Sequence, residues 1–259
     1  MNNLLDFIQK EAKDYARGKR LSFYDDLAPE LSYSRKVFFD HPLILRCCED
    51  VLPFLNDDYG HGIRHSKNVA IEAGAIILAE SFTESQHHCR HLVILAQVSA
   101  LLHDICRLEP NHAREASNLA PRILKDYPLG DRDLEMIQTA INQHEAFQPY
   151  TPPQDPDEGL LVASLYDADK FRWGPDNFIT TLWEMCDYEE WPLKKILEKF
   201  PQGLRTIESI SVTFRSGTGQ IYGPEFSDTG LEIGNFVYRR LKQLLNENSR
   251  EAQNLNSRN

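Results

Sequence analysis

The sequence lacks any long uninterrupted apolar segment. The longest notable run, Leu92 to Leu102, has eleven residues and is broken by Gln97 and Ser99, whereas a membrane-spanning helix needs about 20 apolar residues. The N-terminal stretch carries acidic residues and has no apolar centre of the kind that export signals contain. We therefore expect neither a membrane span nor an exported protein.

Cysteine and positive charge are also scarce. The five cysteines contain no Cys-x-x-Cys pair and give no even disulfide framework, which favours reduced thiols and a cytoplasmic location. The 28 lysines and arginines are outnumbered by 39 aspartates and glutamates, so the formal net charge is −11. A protein that coats nucleic acid needs clustered Lys and Arg. That class is excluded, whereas a small anionic substrate in a locally positive pocket is not.

What the sequence does contain is a succession of helical patterns in an ordinary globular composition. With 259 residues, of which 41 % are hydrophobic, the chain is long enough for one or two domains. Apolar residues recur at helical spacing in most segments, so we predict an all-α fold. The expected helices lie near residues 3–17, 41–52, 61–80, 84–106, 112–126, 132–147, 159–171, 175–188, 192–200 and 228–246.

The segments between these helices suggest how the chain is organised. Residues 18–40 look irregular, and Ser81 to Glu84 fits a capping box that would start the next helix. We also expect one small β-hairpin near 211–223, because Thr-Phe-Arg and Gln-Ile-Tyr flank the turn-like sequence Ser-Gly-Thr-Gly. The predicted organisation is a single domain, in which an N-terminal helical segment (1–57) packs on a core (58–245), followed by a flexible tail (246–259).

Histidine is concentrated in one part of the chain, since eight of the nine lie between residues 61 and 144. One of them, His103, is followed by Asp104 at the end of an otherwise apolar helix. Burying these two side chains is costly unless something pairs with them. A divalent cation would do so, because imidazole nitrogen and carboxylate oxygen are both good metal ligands. The alternative is an ion pair of Asp104 with Arg107 or Arg114.

Further motifs occur in a fixed order around this pair. Upstream, Gly62-Ile63-Arg64-His65 places a histidine at a helix start, and downstream Asp167-Ala168-Asp169-Lys170 lies in an apolar helix. The order His65, then His103-Asp104, then Asp169 resembles the HD-domain superfamily of metal-dependent phosphohydrolases. The resemblance covers about residues 58–185. It implies an HD-domain helical bundle built around a metal site.

The resemblance implies four metal ligands, which are His65, His103, Asp104 and Asp169. Asp167 competes for the last position, but the family's final aspartate commonly follows alanine and precedes Lys or Arg, as Asp169 does. The two acids are about 200° apart around a helix, so both cannot face one site. The expected cofactor is a divalent ion, namely Mn, Fe, Co, Ni, Mg or Zn.

Two further histidines, His112 and His144, are predicted to contact the substrate phosphate or to support the centre. Some HD proteins use two histidines at comparable points to hold a second ion. Only 8 residues separate Asp104 from His112, which is shorter than the spacing of the dinuclear branch, so one ion is expected rather than two. Histidine ligands also need acceptors that fix their tautomer, and the candidates are Glu72, Glu115 and Glu145.

The activity that the resemblance implies is hydrolysis of a phosphate ester, as a phosphomonoesterase or phosphodiesterase. A divalent ion lowers the pKa of its water towards 7 and neutralises phosphoryl oxygens, and Asp104 is expected to accept the proton of that water. Lys170 and Arg107 are the expected catalytic cations, and Arg64 and Lys67 are expected to bind substrate. The partner would be a small phosphorylated substrate, for which the resemblance suggests a nucleotide.

Two other functions stay open. An HD-type di-iron oxygenase would recruit His112 and His144 for a two-iron centre that activates O₂. A non-catalytic nucleotide-binding regulatory module would keep the fold without the chemistry, although such a module has no need for four intact ligands.

Overall fold

The computed structural model describes residues 2–55, 62–81 and 84–256 of the chain. The prediction of an all-α fold is confirmed, because the protein is 77 % helical and these residues contain no strand. None of the described helices is both long enough and apolar enough to cross a bilayer. The α-helices are α1 (Asn2–Ala16), α2 (Ser22–Asp26), α3 (Ala28–Asp40), α4 (Pro42–Val51), α5 (Ile63–Glu80), α6 (Gln86–Leu102), α7 (His112–Ile123), α8 (Asp131–Asn142), α9 (Pro156–Phe171), α10 (Leu182–Tyr188), α11 (Leu193–Ile210) and α12 (Gly217–Asn256).

Helix α5 lies at the centre of the larger of two apolar clusters. It packs against α3, α6 and α9, and its Ile76 and Ile77 side chains are fully buried. A side chain at Gly74 would overlap the Ser34 side chain of α3 and press on Val93 of α6. The missing side chain therefore lets α3, α5 and α6 approach closely at this point.

A second apolar cluster joins α1, α10, α11 and α12. Ile8 of α1, Phe200 of α11 and Ile233 of α12 are among its buried residues. Trp173, just after α9, packs against both clusters. The two clusters therefore meet near the end of α9, next to a π-helical turn at Asn177–Thr181.

The prediction of a β-hairpin near 211–223 is wrong, because helix α12 begins at Gly217. Ser216 caps this helix, since its Oγ accepts a hydrogen bond from Gly219 N at 2.8 Å. Asp167 of α9 accepts hydrogen bonds from the backbone N–H groups of Arg215 and Ser216, both at 2.8 Å. A side chain at Gly219 would overlap the Asp167 carboxylate. The Ser-Gly-Thr-Gly sequence therefore begins a helix rather than forming a hairpin turn.

Several other boundaries differ from the sequence predictions. Residues 18–40, expected to be irregular, contain α2 and α3. Ser81 ends α5 instead of capping the next helix, and Ser85 caps α6 by accepting a hydrogen bond from His88 N at 3.2 Å. Helix α6 ends at Leu102, so His103 and Asp104 follow it directly.

The predicted division into 1–57, 58–245 and 246–259 stays a prediction. Its first boundary falls on residues 56–61, which lie outside the described residues. On either side, α3 packs on α5, α4 packs on α6, and α1 packs on α12. The last helix, α12, is described through Asn256.

Candidate metal centre

Four of the predicted site residues meet where three segments converge. His65 lies in the first turn of α5, His103 and Asp104 follow the end of α6, and Asp169 lies in the last turn of α9. Since α5 packs against both α6 and α9, the helix ends bring these side chains together. His103 and Asp104 are almost completely buried, at 0 % and 3 % exposure.

The ligand atoms of this group lie within 4 Å of His65 or His103. His65 Nε2 is 3.2 Å from His103 Nε2 and 3.2 Å from Asp169 Oδ1. Asp104 Oδ2 is 3.3 Å from His103 Nε2 and 3.6 Å from His65 Nε2. His65, His103 and Asp169 each offer a ligand atom, and these atoms lie within 4.8 Å of one another. Two imidazoles and two carboxylates are a donor set that fits a first-row divalent ion.

The charges of the group favour a cation at its centre. His103 Nδ1 donates to Ala100 O at 2.7 Å, which turns Nε2 towards the other ligand atoms. Burial lowers the pKa of His103, but the carboxylates of Asp104 and Asp169 outweigh it and raise the pKa to about 10. Burial lowers the pKa of His65, which keeps this imidazole neutral, as a metal ligand must be. The two carboxylates therefore stabilise positive charge beside His103 Nε2.

The other oxygen of Asp104 faces a second pair of histidines. Oδ1 lies 3.5 Å from His112 Nε2 and 3.6 Å from His144 Nε2, and the two Nε2 atoms are 3.2 Å apart. His144 Nδ1 donates to Ile141 O at 2.6 Å, which fixes the direction of Nε2. Asp104 Oδ1 is buried and makes no hydrogen bond within the described part of the chain. A buried carboxylate oxygen without a hydrogen bond is costly, so this position also favours a cation.

Arg107 lies against this second histidine pair. Its guanidinium donates to His112 Nε2 at 3.1 Å and lies 3.8 Å from Asp104 Oδ1. Burial lowers the pKa of His112 to about 4, so the ring is neutral and accepts at Nε2. His112 Nδ1 lies 3.2 Å from Glu145 Oε1, one of the three acids considered as tautomer-fixing acceptors. Arg107 thus places a positive charge where a second ion would lie.

The other predicted cations differ in their distance from the centre. Lys170 Nζ donates to Asp169 Oδ2 at 2.5 Å and lines the cavity described below. Arg64 is exposed and lines a smaller cavity of about 240 Å³ beside His65. Lys67 lines neither cavity. The fold therefore brings Lys170 and Arg107 to the centre but not Lys67, whose role in substrate binding stays a prediction.

The competitor Asp167 points away from the four ligands. It is fully buried, and Ser216 Oγ donates to its Oδ2 at 2.6 Å, in addition to the two backbone hydrogen bonds at the start of α12. Burial raises the pKa of Asp167 to about 6. Its carboxylate anchors α12, whereas the Asp169 carboxylate faces His65.

A buried network beside the centre was missed by the sequence reasoning. Arg172 forms hydrogen bonds with Glu72, Asp176 and Tyr24, and Tyr24 OH donates to Glu72 Oε1 at 2.7 Å. Glu72, considered above as a partner for a ligand histidine, pairs with Arg172 instead. The two residues are 100 positions apart, so local spacing held no signal for this pair.

A cavity of about 630 Å³ opens onto the centre. His65, His112, His144 and Asp169 form part of its wall. The remainder comes from the segment after α8, the end of α9, the π-helical turn, α10, the segment between α10 and α11, and α11. It is rich in large apolar side chains: Phe147, Trp173, Phe178, Met185, Trp191 and Phe200. None of these residues was predicted from the sequence to belong to the site.

Backbone strain is concentrated around this cavity. Three non-glycine residues of the described chain have a left-handed backbone, and they are Asn111 (φ 58°), Phe147 (φ 63°) and Glu190 (φ 50°). Phe147 lines the cavity, and the other two directly precede its lining residues His112 and Trp191. Asparagine adopts this conformation readily, whereas it is unfavourable for a bulky residue such as Phe147. Strained residues are found more often at functional sites than elsewhere.

Comparison with known proteins identifies no relative of this chain: no protein-family model matches it, and neither the curated proteins nor the solved structures include a significant match.

Proposed function

We propose that the protein is a metal-dependent phosphohydrolase of the HD type that acts on a small phosphorylated substrate. His65, His103, Asp104 and Asp169 would hold one divalent ion. The observation that carries the proposal is the convergence of their ligand atoms, with separations from His65 Nε2 of 3.2 Å to His103 and Asp169 and 3.6 Å to Asp104. These residues also follow one another along the chain in the order that the HD resemblance specifies.

A divalent ion bound to these ligands supplies positive charge for the phosphoryl oxygens and makes a nearby water more acidic. Asp104 would be suited to accept the proton of the attacking water, because its Oδ1 makes no hydrogen bond with any described residue. Lys170 and Arg107 line the cavity and can hold phosphoryl oxygens by charge-assisted hydrogen bonds. In the reaction, the water oxygen would bond to phosphorus as its proton passes to Asp104. The ester P–O bond would break, and the leaving alkoxide would take up a proton from the solvent and depart as the alcohol.

The proposal is tested by phosphate release from a panel of phosphomonoesters and phosphodiesters with Mn²⁺, Co²⁺, Ni²⁺, Mg²⁺, Fe²⁺ or Zn²⁺. We expect turnover of at least one ester by the wild type. Asp104→Ala should lower kcat/KM by about 10²–10⁴-fold, which is the usual contribution of a positioned general base. Asp228→Ala is the matched control, because Asp228 is exposed on α12. Wild-type activity in Asp104→Ala would overturn the assignment, as would the absence of turnover with every metal.

One observation favours a second candidate, an HD-type di-iron oxygenase. Asp104 Oδ1, His112 Nε2 and His144 Nε2 lie 3.2–3.6 Å apart, so these three residues would hold a second ion beside the first. This function requires Arg107 to leave His112. Two irons per chain and substrate-dependent oxygen uptake would support it, whereas one metal per chain with phosphate release would exclude it.

A further inference from the structure

We propose that the apolar part of the cavity binds the leaving alcohol of the substrate, and that the substrate is a phosphate monoester of an uncharged aromatic alcohol. We call this part the alcohol chamber, defined by Phe147, Trp173, Phe178, Met185, Trp191 and Phe200. The statement that the bound group is a leaving alcohol rests on the proposed function. The affinity of the chamber for an aromatic group does not.

The size of the cavity exceeds what a phosphoryl group needs. Ligand sites for molecules of drug or cofactor size measure about 300–1,000 Å³ and are mostly apolar, with a few polar groups that orient the ligand. The cavity of about 630 Å³ falls in this range, and its polar groups include two of the four candidate metal ligands, His65 and Asp169. A substrate that binds at the centre therefore has room to place a second, apolar half against the chamber.

The distribution of charge limits the substrate to one phosphoryl group. Of the four cations that line the cavity, Lys170 pairs with Asp169 and Arg172 is neutralised by Glu72 and Asp176. Arg107 lies beside the Asp104 carboxylate. The fourth cation is Lys199, which α11 contributes to the cavity lining. A chain of several phosphates would have to extend along the aromatic wall, where desolvation of its charges is costly.

Phe147 supports an aromatic rather than an aliphatic alcohol. Its ring is 60 % exposed although it lines the cavity, and its backbone is left-handed. A bulky residue in this conformation is strained, and the fold gains little from a ring that it leaves in water. Stacking against a flat ring of the ligand would use this exposed surface. Trp173 and Trp191 supply further aromatic surface in the same cavity.

Gly203 provides a way to fill the chamber without disturbing the fold. It lies on α11 one turn from the lining residues Lys199, Phe200 and Thr206, and it lines the cavity itself. A Cβ atom at this position would meet nothing within 4 Å. Leucine is also a better helix former than glycine. Gly203→Leu should therefore fold and project a side chain into the chamber. The matched control is Gly18→Leu, because Gly18 also has nothing within 4 Å and lies outside the cavity.

The experiment compares 2-naphthylmethyl phosphate with ethyl phosphate, two esters of primary alcohols whose leaving groups have similar basicity. We expect the wild type to prefer the naphthylmethyl ester by about tenfold or more in kcat/KM, as differences in apolar contact allow. Gly203→Leu should reduce this preference at least about fivefold, and Gly18→Leu should keep it. Equal use of the two esters by the wild type, or an unchanged preference in Gly203→Leu, would overturn the proposal.

A binding measurement separates failure of this proposal from failure of the proposed function. If no ester is hydrolysed with any metal, the phosphohydrolase assignment fails, and the chamber is then tested with 2-naphthylmethanol alone by saturation-transfer NMR. Saturable binding to wild type and Gly18→Leu, weakened in Gly203→Leu, would show that the chamber accepts an aromatic alcohol independently of the chemistry. Absence of binding to the wild type would overturn the chamber as well.

Discussion

Metal ions should stabilise the fold through Asp169 and not through Asp167. The perturbation is a pair of matched substitutions, Asp169→Asn and Asp167→Asn, in protein freed of metal with a chelator. Asp169 Oδ1 lies 3.2 Å from His65 Nε2, whereas Asp167 is bonded to the start of α12. Only the first substitution removes a ligand from the candidate centre.

The size of the effect follows from binding linkage. An ion present at about 100 times its Kd stabilises the folded state by about 2.7 kcal/mol. Unfolding entropy near 60 °C is about 2.1 cal/mol/K per residue, so about 1 kcal/mol shifts the Tm of a chain of this length by roughly 2 °C. The wild type should therefore gain about 5 °C on addition of the right ion.

The two variants should then respond differently. Removing a residue that hydrogen-bonds to a metal ligand weakens metal affinity about 10- to 100-fold. Removing a ligand itself should weaken metal affinity at least as much. At the same ion concentration Asp169→Asn would retain about 0.4 kcal/mol of stabilisation, which is under about 1 °C. Asp167→Asn should start from a lower Tm, because a buried acceptor for Ser216 is lost at about 1–3 kcal/mol, yet keep the shift of about 5 °C.

Differential scanning fluorimetry across Mn²⁺, Fe²⁺, Co²⁺, Ni²⁺, Mg²⁺ and Zn²⁺ measures these shifts without any substrate. Equal loss of the shift in both variants would refute the choice of Asp169 as a ligand. The absence of a shift in the wild type with all six ions would refute the metal centre itself.

Two further predictions follow from the residues around the centre. Arg107→Ala should raise the metal content from one ion to two ions per chain, because the Arg107 guanidinium lies beside Asp104 Oδ1 and His112. Elemental analysis after dialysis measures this content. Two ions in the wild type, or one in the variant, would contradict this reasoning. Phe147→Gly should be more stable than Phe147→Ala by about 1 kcal/mol. Phe147 has φ 63°, and a left-handed backbone costs residues other than glycine about 1–2 kcal/mol. Equal midpoints of the two variants in chemical unfolding would exclude strain at this residue.

The parts of the fold that could be predicted from sequence are the helices with a strong apolar period. The helix expected at 61–80 is observed at Ile63–Glu80, and the one expected at 159–171 is observed at Pro156–Phe171. Helix α3 was missed because its buried face is partly polar. Ser34 Oγ donates to Ile71 O at 2.7 Å, and Gln97 Nε2 donates to Ser34 O at 2.8 Å. Tertiary contacts of this kind stabilise a helix whose own periodicity is weak.

The start of α12 was misread for a similar reason. Ser-Gly-Thr-Gly suits a hairpin turn when only neighbouring residues are considered. The Asp167 carboxylate that accepts the N–H groups of Arg215 and Ser216 lies 48 and 49 positions earlier in the chain. A capping acceptor so distant in sequence leaves no local pattern, and the same contact explains why Asp167 is buried without facing the centre.

The centre itself was more accessible to sequence reasoning than the cavity beside it. Its four residues occupy helix ends, and their order along the chain resembles the HD pattern described in the sequence analysis. The aromatic wall has no such pattern, because Phe147, Trp173, Trp191 and Phe200 come from four separate segments. Each of these residues is unremarkable in its own segment. Their side chains meet only in the folded chain, where residues after α8, after α9, between α10 and α11, and on α11 line one cavity.

The folded structure also changes how the local positive charge should be understood. The basic residues near the motifs suggested a positive pocket within an acidic chain, but each of the three nearest cations has an acidic neighbour. Lys170 contacts Asp169, Arg172 contacts Glu72 and Asp176, and Arg107 lies 3.8 Å from Asp104. Side chains alone therefore leave little net positive charge for a phosphoryl dianion. If the proposed ion is held by His65, His103, Asp104 and Asp169, substrate affinity should therefore depend on it, which would tie phosphate binding to occupancy of the metal site.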